Sequence, residues 1–285
     1  MWRTRVAVFL LMGLPVAGTA EERLSSTLGD VIVRPLGMAT IAVHVGERVI
    51  YVDPSRSALA ASVPLSDLVL ITDADAGSPY LDRAAIERVR APGGAVVVPL
   101  AGADRFPDAI VMRNGEQSSF GDVSVEAVPA YDLTPGSGLR TRGLANGYIL
   151  TIGDRRILVA GATECVPELR VVKSLDVAFL PVNLPNGRMD VHALAECVRT
   201  LRPAVTYPYL YGESDAGSLP NAVAPPAHAA LPTPAAPTTP AAPPASASRP
   251  HDAAAAQTID AMFGWLRSAL SDITEIRTFD WYAPR

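Results

Sequence analysis

The sequence predicts an α/β fold built in layers, with mixed sheets at its centre. Between about residues 31 and 212, short runs of Val, Ile and Leu alternate with turn residues, as expected for strands covered on both faces. The turns Gly46-Glu47 and Gly153-Asp154 each separate two such runs and predict hairpins. Helical stretches stand between other runs. Hairpins combined with strand–helix units indicate mixed sheets and not a purely parallel one.

The predicted elements follow the chain in order. The predicted strands are Val31–Arg34, Ala39–His44, Arg48–Val52, Leu68–Thr72, Ala95–Pro99, Val123–Val128, Tyr148–Ile152, Arg156–Ala160 and Val177–Leu180. The predicted helices are Asp82–Arg90, Val166–Lys173 and Asp190–Leu201. In the last helix, apolar residues recur at helical spacing and form one apolar stripe, which predicts that it packs on a sheet.

The segment Ser218–Ala256 has a different composition. Of its 39 residues, 10 are Pro and 15 are Ala, so it cannot bury enough surface to offset its ordering entropy. We expect a disordered or polyproline-like insertion. Helical order resumes at Thr258, and a strand over Glu275–Trp281 follows. Because this tail is too small to fold alone, we assign 257–285 to the same domain as 21–217.

The first twenty residues are typical of a signal peptide. Arg3 and Arg5 precede the apolar stretch Val6–Gly18, and small residues follow at Gly18-Thr19-Ala20. We therefore expect an exported protein, periplasmic or secreted, with no membrane span after cleavage; an uncleaved anchor is the alternative. An oxidising compartment makes a Cys165–Cys197 disulfide possible, and two free buried thiols are the other reading.

Composition excludes several classes of protein. With 24 Lys+Arg against 29 Asp+Glu, the net charge is -5, which supplies no general attraction for nucleic acid. The sequence contains no phosphate-binding Walker loop, no dinucleotide glycine fingerprint and no Gly-x-Ser-x-Gly elbow. With 4 His in the whole chain, a dinuclear His-rich metal site would need nearly all of them.

An ordered series of short motifs carries a family resemblance over about residues 30 to 215. The motifs are Leu36-Gly37, Tyr51-Val52-Asp53-Pro54, Leu70-Ile71-Thr72 with Leu81-Asp82, Val128-Pro129-Ala130-Tyr131, Gly147-Tyr148, Val159-Ala160-Gly161 with Thr163, Asp176–Pro181, Pro203 and Tyr207-Pro208-Tyr209. The series resembles the metallo-β-lactamase superfamily, in its branch similar to the ascorbate-6-phosphate lactonases. The resemblance implies an αββα four-layer sandwich with two mixed sheets. It also implies a hydrolase site with one or two metal ions, usually zinc, at one edge.

The positions that the resemblance assigns to metal ligands lack ligands in this chain. The loop from Asp73 to Tyr80 contains no His, Met38 and Leu210 stand where His is expected, and Ala162 replaces the bridging Asp. The existing histidines do not repair the site, because we expect them on the surface or in the insertion: His44, His192, His228 and His251. We therefore predict no zinc and no catalytic residue.

Carboxylates form the remaining set of candidates near this pocket. The acidic residues that the resemblance places there are Asp53, Asp73, Asp75, Asp82, Asp132 and Glu164. Oxygen ligands would suit Ca²⁺, Mg²⁺ or Mn²⁺. The alternative is that these acids cap turns and helices, and Asp82 is placed to cap a helix that starts at Arg83.

Three functions remain open at this point. The first is a non-catalytic protein that binds a small ligand or an envelope protein at a pocket lined by Met38, Asp75, Tyr80, Ala162 and Leu210. The second is a hydrolase with a carboxylate-based cation site, which requires the acidic side chains to converge. The third is an envelope interaction protein that works through its Pro/Ala insertion. Deletion of Ser218–Ala256 with unchanged localisation and phenotype would remove the third.

Overall fold

Strands that are apolar on both faces form two sheets, and these sheets make up most of the fold. A computed structural model describes residues 21–37, 39–75, 78, 80–133, 140–184, 187–211 and 250–279. Each sheet contains seven strands in the described part of the chain. The signal-peptide prediction and most of the predicted insertion lie outside these residues, as do Met38 and His228.

The first sheet has its strands in chain order. They are β1 (Glu22–Ser26), β2 (Gly29–Gly37), β3 (Thr40–Val45), β4 (Arg48–Val52), β5 (Ser66–Leu70), β6 (Arg90–Val98) and β7 (Ile110–Val111). The pairs from β1 to β4 are antiparallel, and the pairs from β4 to β7 are parallel. The predicted hairpin at Gly46-Glu47 is confirmed by the β3–β4 pairing.

The second sheet repeats this scheme. Its strands are β8 (Gln117–Phe120), β9 (Val123–Ala130), β10 (Ala145–Ile152), β11 (Arg155–Val159), β12 (Val177–Pro181), β13 (Val205–Tyr209) and β14 (Glu275–Ile276). The pairs from β8 to β11 are antiparallel, and those from β11 to β14 are parallel. The hairpin predicted at Gly153-Asp154 is confirmed by the β10–β11 pairing. Both sheets are therefore mixed, as predicted.

Helices cover the outer faces of the sheets. They are α1 (Arg83–Val89), α2 (Pro167–Arg170), α3 (Val191–Leu201) and α4 (Pro250–Ala269). α2 is shorter than predicted, because Pro167 cannot extend it backwards and the β-branched pair Val171-Val172 favours helix poorly. α4 begins at Pro250, inside the range that the composition assigned to the insertion. Among the described residues, no helix is long and apolar enough to cross a membrane.

The strands bury both faces in two separate cores. On β4, Ile50 and Val52 belong to the core between the sheets, whereas Val49 and Tyr51 pack in a second core with Ile86 of α1. This alternation follows from the two-residue period of a strand. Helices α2, α3 and α4 extend the central core across the second sheet through Leu169, Leu194 and Leu266. The layers are thus helix, sheet, sheet and helix.

The two ends of the described chain meet beside the second sheet. Glu22 of β1 forms an ion pair with Arg277, and it accepts a hydrogen bond from the hydroxyl of Tyr207 at 3.4 Å. Arg277 also pairs with Glu275 at 2.9 Å. Burial raises the pKa of Glu22, and the nearby Arg277 partly offsets this effect.

Candidate functional site

The carboxyl ends of the parallel strands in both sheets meet at one edge of the sandwich, called the site edge below. It is formed by the chain following β4, β5, β9, β11, β12 and β13. Two hydrogen bonds join the sheets there: Asn146 N–H donates to Thr72 O at 2.9 Å, and the Tyr148 hydroxyl donates to Ile71 O at 2.8 Å. Gly147 fits closely between its neighbours in the second sheet, because a Cβ there would lie 2.7 Å from Ala160 O. The predicted site residues that the structure describes lie at or near this edge.

Asp53 ends β4 and is buried against the first sheet. Its carboxylate accepts hydrogen bonds from Thr72 N–H at 2.8 Å and from the Thr72 hydroxyl at 2.7 Å. Its backbone N–H donates to Leu70 O at 3.0 Å, and its φ is 46°. Both carboxylate oxygens of Asp53 therefore link the end of β4 to the start of the loop after β5, which gives Asp53 a structural role.

Asp82 caps α1, as predicted. Its Oδ1 accepts a hydrogen bond from Ala85 N–H at 3.1 Å, and its Oδ2 accepts hydrogen bonds from the backbone N–H and the Nε of Arg56 at 2.9 and 3.0 Å. Burial raises the pKa of Asp82, but these backbone and side-chain hydrogen bonds outweigh burial and hold the pKa below its usual value. Asp82 is therefore a charged helix cap.

The loop after β5 brings Asp73, Asp75 and Tyr80 together. Asp73 Oδ1 accepts a hydrogen bond from Asp75 N–H at 3.1 Å, and Tyr80 is buried in the central core. Burial raises the pKa of Asp75, and the neighbouring Asp73 raises it further. The other oxygen of Asp73 lies 3.0 Å from Arg140 Nη2. The two carboxylate oxygens of Asp73 thus contact a backbone amide and an arginine.

Asp132 and Glu164 lie on the second-sheet side of the edge. Asp132 pairs with Arg188, and its Oδ2 accepts a hydrogen bond from Arg140 N–H at 3.1 Å. Glu164 Oε2 accepts a hydrogen bond from Leu133 N–H at 2.6 Å, which ties the loop after β11 to the loop after β9. Each of these carboxylates thus contacts protein donors.

The replaced ligand positions are apolar and enclosed. Ala162 and Leu210 are buried, and Leu210 has a φ of 63°. Asn183 and Met189, in the loop after β12, also have positive φ values of 53° and 47°. Left-handed conformations in bulky residues such as Leu and Met cost free energy, and they cluster at functional sites. The backbone at this edge therefore holds strain although its ligand positions are lost.

Arg140 and Arg188 are the site-edge residues that sequence reasoning missed. Both side chains are buried, and both pair with predicted acids. Arg140 Nε is buried and has no hydrogen-bond partner in the part of the chain that the structure describes. One signal in the sequence could have revealed them: several acids placed in a pocket that lacks metal ligands require some other cation.

The two histidine side chains that the structure describes, His44 and His192, lie on separate elements, β3 and α3. His44 is half-buried on β3, and burial, together with Arg34, lowers its pKa. His192 is exposed on α3, with its ring edge-on to Trp265 at 4.7 Å. His251 lies in α4, and its side chain is outside the description. Among the described residues, no three His, Cys, Asp or Glu side chains are grouped to hold a metal ion. The donor set therefore does not fit the family's metals.

A disulfide joins Cys165 to Cys197, with a Cα–Cα distance of 5.7 Å. It resolves the two readings left open for these residues. Cys165 follows Glu164 directly, and Cys197 lies on the buried side of α3. The bridge therefore anchors the loop after β11 to the outer helix.

A separate cavity of about 580 Å³ lies beside β9 and the chain that follows α2. Its walls include Val128, Val171 and Val172, together with charged residues of both signs: Arg142, Arg156, Lys173, Glu126 and Glu168. Arg142 forms an ion pair with Glu168, and Arg156 lies 3.9 Å from Glu126. This cavity was not predicted, because most of its walls come from segments without a recognisable motif.

Comparison with known proteins identifies the fold. None of the curated proteins compared with the chain matches it. Among solved structures, a protein described as a metal-dependent hydrolase from Parabacteroides distasonis is 25% identical, with a TM-score of 0.69 over 92% of this chain and 98% of that one. Igni18, a metallo hydrolase from Ignicoccus hospitalis, is 15% identical, with a TM-score of 0.58 over 88% of this chain and 95% of that one.

A third neighbour performs different chemistry. CmlA, a diiron β-hydroxylase from Streptomyces venezuelae, is 22% identical, with a TM-score of 0.51 over 64% of this chain and 45% of that one. At 15% and 22% identity, Igni18 and CmlA show the fold alone. The family model described as a beta-lactamase superfamily domain matches residues 33–209, which is more than half of the sequence. The chain therefore belongs to the metallo-β-lactamase superfamily.

Proposed function

We propose that this chain is an exported, non-catalytic member of its superfamily that binds a small ligand or an envelope protein. One observation carries the proposal: the acids at the site edge bind arginines and backbone amides. Asp73 pairs with Arg140, and Asp132 pairs with Arg188. A divalent cation at these acids would have to displace two guanidinium groups.

The chemistry of the remaining positions supports the same reading. Ala162 and Leu210 offer no donor atoms, and both are buried. Zinc in this family requires imidazoles at fixed places, and hard cations require six or more oxygens. Asp73, Asp132 and Glu164 already use carboxylate oxygens for hydrogen bonds or ion pairs that hold loops together.

Metal content tests this proposal directly. The mature protein should contain no stoichiometric zinc, manganese, iron or calcium by elemental mass spectrometry, whether purified from cells or incubated with each ion and dialysed. Its melting temperature should be the same before and after incubation. A stoichiometric ion that survives dialysis and supports hydrolysis of chromogenic phosphodiesters or lactones would overturn the proposal.

Two features support export. The N-terminal residues are typical of a signal peptide, and a disulfide such as Cys165–Cys197 persists in oxidising compartments. Cell fractionation with N-terminal sequencing provides the test. We expect the protein outside the cytoplasm with Glu21 at its start, whereas cytoplasmic protein with reduced Cys165 would contradict export.

The cavity beside β9 supports a binding role. It combines apolar walls at Val128 and Val172 with charges of both signs, which suits a small molecule that has an apolar body and charged groups. Val171 is exposed at this cavity, so Val171→Trp would obstruct it without touching the core. We expect this variant to lose the thermal stabilisation that amphipathic amino acids or short peptides give the wild type. Equal stabilisation of both proteins would place binding elsewhere.

A metal-dependent hydrolase with a carboxylate site is the second candidate. The Parabacteroides distasonis relative, described as such a hydrolase, is 25% identical over nearly its full length. This reading requires Asp73, Asp75, Asp132 and Glu164 to bind one cation. Metal-dependent hydrolysis that is abolished by Asp73→Ala and retained in Asp67→Ala, an exposed position on β5, would favour it.

A further inference from the structure

We propose that the guanidinium groups of Arg140 and Arg188 replace the family's metal ions as the cations that hold the site-edge loops together. The inference rests on the proposed function in one respect, because it assumes that no resident metal binds at this edge. It goes further by naming what took the metal's place and what should happen when that replacement is removed.

The first cation joins the two sheets. Asp73 follows β5 of the first sheet, whereas Arg140 precedes β10 of the second, and their side chains meet at 3.0 Å. The Asp73 side chain is 5% exposed, and the Arg140 side chain is 13% exposed. A buried charge so placed requires an opposite charge, and each of these two residues supplies it for the other.

The second cation joins two loops of the second sheet. Asp132 follows β9 and Arg188 follows β12, and their paired side chains are 2% and 0% exposed. Arg188 is also held by a backbone bridge with Leu184. Because neither charge reaches water, this ion pair is the most strongly desolvated one among the described residues.

The two pairs form one chain of alternating charge. Arg140 connects them, since its backbone N–H donates to Asp132 Oδ2 at 3.1 Å and its backbone O accepts from Asp132 N–H at 3.2 Å. Burial would lower the pKa of Arg140, but Asp73, Tyr80 and Asp132 hold it above its usual value. Three loops, following β5, β9 and β12, are thus linked through two cations, much as a metal centre links the loops that supply its ligands.

The balance of charge distinguishes this arrangement from an acidic site that could still bind a metal ion. The carboxylates of Asp73 and Asp132 are already neutralised, so an incoming divalent ion would face two guanidinium groups. Arginine suits this role because its planar group stays charged when buried and can hold several acceptors at fixed angles. Lysine offers a single point of charge and should replace it only in part.

Chemical rescue tests the inference. The mature protein carrying Arg188→Ala, and separately Arg140→Ala, is melted in 0 to 20 mM guanidinium chloride. Sodium chloride of equal ionic strength and urea serve as controls for salt and for a neutral molecule of the same shape. The matched variant is Arg23→Ala, which removes an exposed arginine whose pair with Asp30 leaves both side chains about half exposed.

The expected results differ clearly among the variants. Each buried-arginine variant should melt roughly 6–20 °C below the wild type, which is the loss of a buried partner converted at a few degrees per kcal/mol. Guanidinium should restore several degrees in a saturable manner, and urea or sodium chloride should not. Arg23→Ala should melt within about 2 °C of the wild type and show no rescue.

Three outcomes would overturn the inference: buried-arginine variants that melt like Arg23→Ala, variants that urea rescues as well as guanidinium, or wild-type protein that divalent ions stabilise. Divalent ions that stabilise only the Arg→Ala variants would support it, because they would show a vacated cation position.

If Arg188→Ala does not fold, Arg188→Lys retains a cation. Folded Arg188→Lys supports the inference, and unfolded Arg188→Lys together with an unrescued Arg140→Ala overturns it. Metal in the wild type would defeat the proposed function as well, whereas metal-free protein without rescue would defeat this inference alone.

Discussion

Two buried aspartates at the site edge, Asp53 on the first sheet and Asp132 on the second, are held by different interactions. On the first sheet, the Asp53 carboxylate accepts hydrogen bonds from the neutral N–H and hydroxyl of Thr72. On the second sheet, Asp132 pairs with the cationic Arg188, and a disulfide anchors Cys165 to Cys197. The comparison shows that the free-energy cost of losing the partner of a buried aspartate depends on whether that partner is neutral or cationic. A lost neutral donor removes one hydrogen bond, whereas a lost cation leaves a bare charge in the interior.

Loss of the Arg188 cation should have the largest effect. Arg188→Met should lower the free energy of unfolding by about 3–5 kcal/mol, because Asp132 is left charged and buried. Adding Asp132→Asn should recover more than half of this loss, because the unpaired charge is gone. Urea unfolding of both single variants and the double variant measures the coupling. Additive losses would mean that the two residues act separately and would remove the contrast between the sheets.

Loss of the disulfide should come next. Replacing both Cys165 and Cys197 with Ala should lower the free energy of unfolding by about 3–4 kcal/mol, since a bridge that spans 32 residues restricts the unfolded chain. The expected readout is a lower melting temperature that dithiothreitol does not change further. Dithiothreitol should shift the wild type toward the variant. A variant as stable as the wild type would show that the loop after β11 is held by its hydrogen bonds alone.

The neutral cross-link on the first sheet should matter less. Asp53→Asn should cost about 1–3 kcal/mol, because the negative charge that strengthens both hydrogen bonds from Thr72 is lost. Asp67→Asn on β5 is the matched control, since Asp67 is exposed, and it should stay within about 0.5 kcal/mol of the wild type. Urea unfolding compares the two. A loss as large as that of Arg188→Met would contradict the comparison.

The smallest effect should be the pH-dependent one at Asp82. Its pKa lies below the ordinary value, so its charge stabilises the fold above the carboxyl range and this stabilisation fades as the pH falls through the folded pKa. Asp82→Asn can keep the helix cap at Ala85 but loses the charge and the second acceptor oxygen used by the exposed Arg56, so it should cost about 0.5–1 kcal/mol near neutral pH. Melting curves of the two proteins should converge once the pH falls below the lowered pKa of Asp82. A difference that persists there would assign the effect to the cap geometry.

The sequence predicted the continuous apolar strands well and the polar or proline-containing strands poorly. β4 and its neighbours are continuous apolar runs, which the need to bury both faces makes visible. β8 (Gln117–Phe120) is polar and lies at an edge, and β13 contains Pro208, so neither has a strand-like pattern. The position of β8 depends on its hairpin with β9, and that of β13 on pairing with β12 and β14. Pairing with those neighbours outweighs local preference.

At the site edge, the acids were predictable and their partners were not. Asp82 could be assigned as a helix cap because the backbone N–H that it caps belongs to Ala85, three residues away. Arg140 and Arg188 reach acids in other loops, and an arginine in a loop sequence is typical of the surface. Only the three-dimensional arrangement distinguishes a buried counter-charge from a solvated side chain. A missing metal motif is therefore a reason to search for internal cations.

The contact between Glu22 and Arg277 has a consequence for how the chain can be re-engineered. Because the first strand and the residue after the last strand touch, a short peptide could join them without crossing the sandwich. New termini could then be opened between residues 211 and 250, where the composition predicts tolerance of a break. A circular permutant of this kind would keep both sheets intact, and it would allow a fusion partner to be attached beside α4.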